Sequence, residues 1–244
     1  MFVPRLYDVG CHCRADTAAT RPQRDNGKSP PAAAGGRTAL ERAKGTCRLS
    51  TFLIDLSPDD MRSRLGDALA IYVGAMRYPR GTEEQRASMW LEHTRRHGWK
   101  AVAAVESAEP PHDPATLTAA PMLGVAYGYC GAPDQWWQQQ VVQGLERGGT
   151  DRTRITDLMT SYFELTELHI DPRAQGRGLG EALTRRLLAG RNESHVLLST
   201  PEINGESNRA WRLYRRLGFA DVIRDYHFAG DPRPFAILGR SLPL

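Results

Sequence analysis

Gln175-Gly176-Arg177-Gly178-Leu179-Gly180 is the segment whose residue types and spacing point most directly to a chemistry, that of holding an anion. It falls between a strand pattern and a helix pattern, where the first helical N–H groups lack partners and the helix dipole is positive. Glycines there let the backbone approach a pyrophosphate closely, and Arg173 and Arg177 can neutralise phosphate charge. A Walker loop would end in Gly-Lys-Ser/Thr, whereas Leu179-Gly180-Glu181 stands here. A dinucleotide fold needs its glycines early in a βαβ unit, and this loop comes late with no matching second half. A glycine turn that only reverses the chain is the plain alternative.

The elements that must position this loop can be read from periodicity. Thr51 to Leu56 has strand character, and Ser57-Pro58-Asp59-Asp60 then supplies a cap, a first-turn proline and acids for a helix that runs with Met61, Leu65, Leu69, Tyr72 and Met76 to Tyr78-Pro79. A second helix is expected from about Thr82 to His97, a strand from Trp99 to Glu106, a Pro-rich loop over Glu109 to Pro114, and a strand from Met122 to Cys130. A short helix from Pro133 to Leu145 and a loop of glycine and threonine lead to the strand from Ser161 to Ile170. In that strand Phe163 and Leu165 share one parity while Leu168 and Ile170 share the other, so a β-bulge near Thr166 and Glu167 is needed to put all four on one side. After the glycine loop come a helix through Leu188, a strand His195 to Thr200, a helix Ser207 to Leu217, and two closing strands, Phe219 to Tyr226 and Phe235 to Leu242. This order predicts a mixed α/β or α+β domain, mostly antiparallel with one parallel step.

A second signature follows the loop: Asn208-Arg209-Ala210-Trp211-Arg212-Leu213-Tyr214, then Gly218-Phe219. Together the two resemble the GNAT superfamily of acyl-CoA-dependent N-acetyltransferases. Gln175, Gly178 and Gly180 match that family's Gln/Arg-x-x-Gly-x-Gly/Ala motif, while the later Asn-to-Tyr spacing is one residue short. The resemblance spans about Thr51 to Leu242 and is strongest from Leu165 to Phe219. It implies a central twisted, mostly antiparallel sheet with a splayed parallel pair, flanked by helices. It also implies that amides of Gly176, Arg177, Gly178, Leu179, Gly180 and Glu181 bind the pyrophosphate of acetyl-CoA, and that Leu168, His169 and Ile170 pair through their main chain with the pantetheine arm, which Asn208 also touches.

The implied reaction is direct attack of an amine on the thioester in a ternary complex, and each of its needs has a candidate. Tyr214 would protonate the leaving thiolate; read from the helix pattern alone, it is equally a core tyrosine beside Ala210, Leu213 and Leu217. A main-chain N–H at Leu168 or His169 would meet the oxyanion. Glu164 or Glu167 would be the base, and His169 is a further candidate. Trp136 and Trp137 would either line the acceptor pocket or anchor their helix. A non-catalytic acyl-CoA sensor is the competing reading.

Composition bounds the rest. Residues 1–50 hold 9 of the 32 Lys+Arg and 4 of the 28 Asp+Glu, leaving 23 against 24 for residues 51–244. The first segment, with Lys28-Ser29-Pro30-Pro31, is expected to be a disordered basic tail, and residues 51–244 one globular domain. Its near-neutral balance gives no reason to expect nucleic acid or an anionic membrane as partner; the partner that the resemblance implies is a small-molecule or peptide amine, and a homodimer stays open. Cys11-His12-Cys13 lacks a second ligand pair for zinc, so no metal is expected, and no even disulfide framework stands against a cytoplasmic setting. Residues 1–50 hold no apolar h-region, so no targeting segment is expected, and the uncharged run Ala68 to Met76 is well short of a membrane span of about 18 residues.

Overall fold

The computed structural model describes residues 49–111, 113–203 and 208–244. The expected tail and the Cys11-His12-Cys13 cluster lie outside those residues. Seven strands form one sheet: β1 (Ser50–Leu56), β2 (Lys100–Ser107), β3 (Met122–Cys130), β4 (Tyr162–Ile170), β5 (His195–Pro201), β6 (Ala220–Tyr226) and β7 (Phe235–Ser241), in the order β1-β2-β3-β4-β5-β7-β6. Every pairing is antiparallel except β4 with β5. Among the described residues no helix is long and apolar enough to cross a membrane.

One face of the sheet carries α7 (Leu179–Leu188) and α8 (Arg209–Arg216). Leu179, Leu183 and Leu187 recur at helical spacing and are buried with Val102, Phe163 and Trp211. Each such side chain contributes about 1.5–3 kcal/mol when fully buried. Lys100 holds the far end of α7, donating from Nζ to the Arg186 and Ala189 carbonyls at 2.9 Å each, as a cation should at a helix C-terminus.

The other face carries α1 (Pro58–Ser63), α2 (Leu65–Met76), α3 (Thr82–His93), α5 (Trp136–Arg147) and α6 (Arg152–Thr160). The single helix expected before Tyr78 is two, because the backbone leaves helical geometry at Arg64 (φ −103°, ψ 11°). There the buried guanidinium bonds the Leu117 carbonyl and reaches the Ala120 carbonyl at 2.8 Å. The second helix ends at His93 rather than His97, since the His97 carbonyl accepts from the Cys130 N–H and the chain must unwind to offer it.

Two helices were not expected at all. The Pro-rich loop is followed by α4 (Pro114–Ala119), capped by Asp113, whose Oδ1 accepts from the Ala115 and Thr116 amides at 2.9 and 3.0 Å. The segment read as a glycine and threonine loop contains α6, capped by Asp151 on the Thr153 amide at 2.8 Å, with Ile155 and Met159 one turn apart and buried.

Candidate active site

β4 changes character midway. It pairs with β5 only through Tyr162–His195, Phe163–Val196 and Glu164–Leu197, while it follows β3 all the way to Ile170. Between Tyr127–Glu167 and Gly128–Leu165 the register with β3 slips by one residue, which makes Thr166 the extra residue of a bulge. The bulge lies where the parity of the sequence required it. Phe163, Leu165, Leu168 and Ile170 all pack on the α7/α8 side.

The same insertion brings Glu164, Glu167 and His169 onto the opposite face. Glu164 Oε1 accepts from the Tyr129 hydroxyl at 3.2 Å, and His169, itself bonded to Glu167, packs edge-on against Tyr72 at 4.9 Å. Glu164 is buried, its Oε2 has no hydrogen-bond partner among the described residues, and burial pushes its pKa from 4.5 to about 7 against the Arg96 guanidinium, which pulls it down. Glu167 is held differently, its Oε2 lying 2.5 Å from His169 Nε2.

Main-chain directions can be followed from the bonds at the strand's end. The Asp171 N–H bonds the Leu123 carbonyl, and the His169 carbonyl faces Gly124, so residues 167, 169 and 171 turn their main-chain groups to β3. By alternation, those of Leu168 and Ile170 face the side that β5 has left. The Ile170 carbonyl there accepts from Gln175 Nε2 at 3.2 Å, and Gln175 Oε1 in turn accepts from Arg209 at 2.9 Å. The loop, the end of β4 and α8 are thus tied together by one side chain.

Gly176 (φ +82°) and Gly178 (φ +80°) have the left-handed backbone that glycine adopts freely, and a Cβ on either would meet nothing within 4 Å. The outer side of the loop is therefore open, and its amides lie at the N-terminus of α7, whose N-cap is Gly178. Gly180 has another duty: a Cβ there would stand 3.0 Å from Leu213 Cδ2, so its smallness lets α7 and α8 close on each other. Glu181 is neutralised by Arg185 at 2.9 Å and Arg216 at 3.1 Å, which removes a bare negative charge from the first turn. Arg173 is engaged with Asp171 at 2.6 Å, and Arg177 lies 3.9 Å from Glu106.

Tyr214 comes to the gap from the α8 side. It is 6% exposed, packs on Phe219, and its phenol is held well above 10.0 by burial and then by the Glu167 carboxylate. Asn208 caps α8, its side chain accepting from the Ala210 amide at 2.9 Å. The two tryptophans separate: Trp137 is buried, its Nε1 donating to Ser199 Oγ at 3.3 Å, while Trp136 is 51% exposed beside Phe228. Trp137 is an anchor in this arrangement, and only Trp136 presents a surface. Sequence reasoning passed over Arg96, Tyr129 and Tyr127, which surround the acids. Their signal is weak, since β3 reads as a plain apolar strand and tyrosines belong in it.

A sheet that opens beside a glycine loop at a helix N-terminus, with acids on one side and a tyrosine on the other, defines an acyltransferase site of the GNAT type. The comparisons bear on the same point. Residues 135–221 match the acetyltransferase (GNAT) domain family. The chain is 72% identical over 206 residues to the GCN5-like protein acetyltransferase Rv2170 of Mycobacterium tuberculosis (strain ATCC 25618 / H37Rv), covering 80% of this chain and all of that one. Over 73 residues it is 40% identical to the mycothiol acetyltransferase of Kineococcus radiotolerans, covering 29% of this chain and 23% of that one. In fold it resembles Arabidopsis thaliana NAA60 in complex with a bisubstrate analogue (TM-score 0.50, 17% identity, 80% of this chain and 100% of that one). A GNAT-family structure from Desulfovibrio desulfuricans is similar to the same degree (TM-score 0.50, 15% identity, 79% and 99%). The chain belongs to the GNAT family of acetyltransferases.

Proposed function

We propose that residues 51–244 transfer the acetyl group of acetyl-CoA directly to an amine of a protein acceptor. The observation that carries this reading is the parting of β4 from β5 after Glu164, which leaves the edge of the strand at Leu168 to Ile170 without a neighbouring strand on that side, next to the glycine loop, with the Ile170 carbonyl taken by Gln175. The amides of 176–181 hold the diphosphate, and the unpaired strand edge takes the amide-bearing arm as a substitute for β5. The thioester carbonyl then falls near the Leu168 N–H, which faces the gap and receives the developing oxyanion; the His169 N–H faces β3 and does not serve.

Glu164 is the base. Its unpartnered Oε2 takes the amine proton directly or through a water, and a pKa of about 7 leaves a useful fraction of carboxylate at neutral pH. The nitrogen attacks the carbonyl carbon, the C–S bond breaks, and Tyr214, whose high pKa keeps it protonated, delivers its proton to the departing thiolate. Glu167, held by His169, lies on the same face as Glu164 and would draw an incoming ammonium toward it. Asn208 bonds the arm through whatever capacity its capping role leaves. That the acceptor is a protein amine is supported by the name of the relative, 72% identical over its whole length.

A CoA-release assay with acetyl-CoA against lysine peptides, N-terminal peptides and small amines tests the assignment. Turnover with a peptide panel is the expected result. Calorimetric acetyl-CoA binding without turnover on any amine would make the domain a sensor, and no binding at millimolar ligand would overturn the reading altogether.

A further inference from the structure

The surroundings of Glu164 are almost free of charge. From β3, the Tyr129 hydroxyl meets Oε1, and Tyr127 lies within electrostatic reach. From β4 itself come Thr166, whose Oγ1 is 3.5 Å from Oε1, together with Tyr162 and the like charge of Glu167. α3 contributes His93, buried and bonded to the Tyr127 hydroxyl at 3.0 Å; burial first, then Arg96 and Arg86, lowers its pKa to about 3, so it is neutral. Among the described residues one cation faces Glu164, and that is Arg96, in the turn after α3.

Arg96 is placed unlike its neighbour. Arg95 pairs with Glu92 at 2.9 Å, in solvent. Arg96 has no carboxylate partner among the described residues; its guanidinium lies over the Tyr129 ring, 4.5 Å from the centroid, and is half-buried. The cation, the ring and the hydroxyl that donates to Glu164 therefore form one stack. A phenol beneath a cation is a better donor, and a cation behind the donor favours the ionised acceptor.

We infer that Arg96 is a positioning residue for the acetyl transfer: stacked on Tyr129, it fixes the Tyr129–Glu164 hydrogen bond and supplies the positive field that lets a buried Glu164 ionise and accept the amine proton. This rests on Glu164 being the base. No new covalent step is involved, since the proton moves from the amine to Glu164 and from there to water. Removing the cation leaves burial unopposed, so Glu164 should ionise at higher pH.

Two readouts test this on the full chain: the pH profile of kcat/KM, and carboxyl NMR titration of glutamate-labelled protein with Glu164→Gln as the assignment standard. Arg96→Met should move both midpoints up by about one pH unit. Arg96→Lys, which keeps charge but stacks less well, should move them less, and acetyl-CoA affinity should stay the same in both. Arg96→Gln, which keeps a polar side chain without the charge, should move the midpoints as Arg96→Met does and gives a second variant should the first fail to fold. An unmoved NMR midpoint in both Arg96→Met and Arg96→Gln overturns the inference. Should Glu164→Gln keep the acid limb of the rate profile, the base assignment fails instead, and the NMR midpoint still reads the effect of Arg96.

Discussion

The two halves of β4 are built from similar residues and do different work. From Tyr162 to Leu165 the strand is hydrogen-bonded on both edges where β5 accompanies it, and all four residues are buried. From Glu167 to Ile170 it keeps β3 and lacks β5, and three of four residues are only partly buried. Between them stands Thr166. One inserted residue and one missing partner thus separate a stretch that stabilises from a stretch with main-chain groups to offer. On the proposed reading, the difference teaches that binding capacity comes from withheld pairing rather than from added side chains.

The contrast is broken most strongly at the junction. Glu164→Gln should lower kcat/KM about 1000-fold and remove the acid limb near pH 7, measured as a pH–rate profile. The same change should stabilise the fold at high pH. Folded Glu164 titrates near 7 rather than 4.5, so the folded chain holds more protons than the unfolded chain between those values, and the wild type loses stability as pH rises through that window. The melting advantage of the Gln variant should therefore grow from about pH 5 to about pH 8; a constant difference would argue against a raised pKa.

Next comes the closed half. A Cβ on Gly128 would stand 2.1 Å from the Glu164 carbonyl and 2.6 Å from the Phe163 ring, so Gly128→Ala should cost about 3 kcal/mol in a denaturant titration. The open half should respond in binding instead. Gly178→Asp places a side chain at φ +80° and a negative charge against the phosphates, and should weaken acetyl-CoA about 100-fold by calorimetry, while the backbone strain costs the fold about 1 kcal/mol. Smallest is Tyr214→Phe, expected to reduce kcat about 30-fold while acetyl-CoA affinity changes by less than about twofold. Loss of affinity in that variant would mean the tyrosine only packs.

Much of this was legible beforehand. The conflict of parity between Phe163/Leu165 and Leu168/Ile170 demanded a bulge, and the structure has it at Thr166, because burying four apolar side chains on one face outweighs regular pairing. The glycine loop and the helices after it were readable from spacing. What escaped were elements decided by tertiary contacts. The break at Arg64 depends on carbonyls more than fifty residues away, and the early end of α3 depends on the Cys130 amide. The helices α4 and α6 did carry a signal, an aspartate cap in each case, but they are short and sit in segments of weak helix formers, where capping competes with turn chemistry. The pairing of Glu164 with Tyr129, and the stacking of Arg96 behind it, depend on strand register and on where a turn falls, neither of which a single chain of letters records.

The close contact at Gly180 has a consequence for which donors can be used. Because a Cβ at residue 180 would stand 3.0 Å from Leu213 of α8, the helix that begins at the glycine loop and the helix that carries Tyr214 approach closely at that point. If the loop is the anchor and Tyr214 the proton donor, as proposed, the span between them is set by how these two helices pack and not by the ligand. On the proposed reaction the pair would act as a gauge, matched to a donor arm whose reach brings its sulfur to the tyrosine.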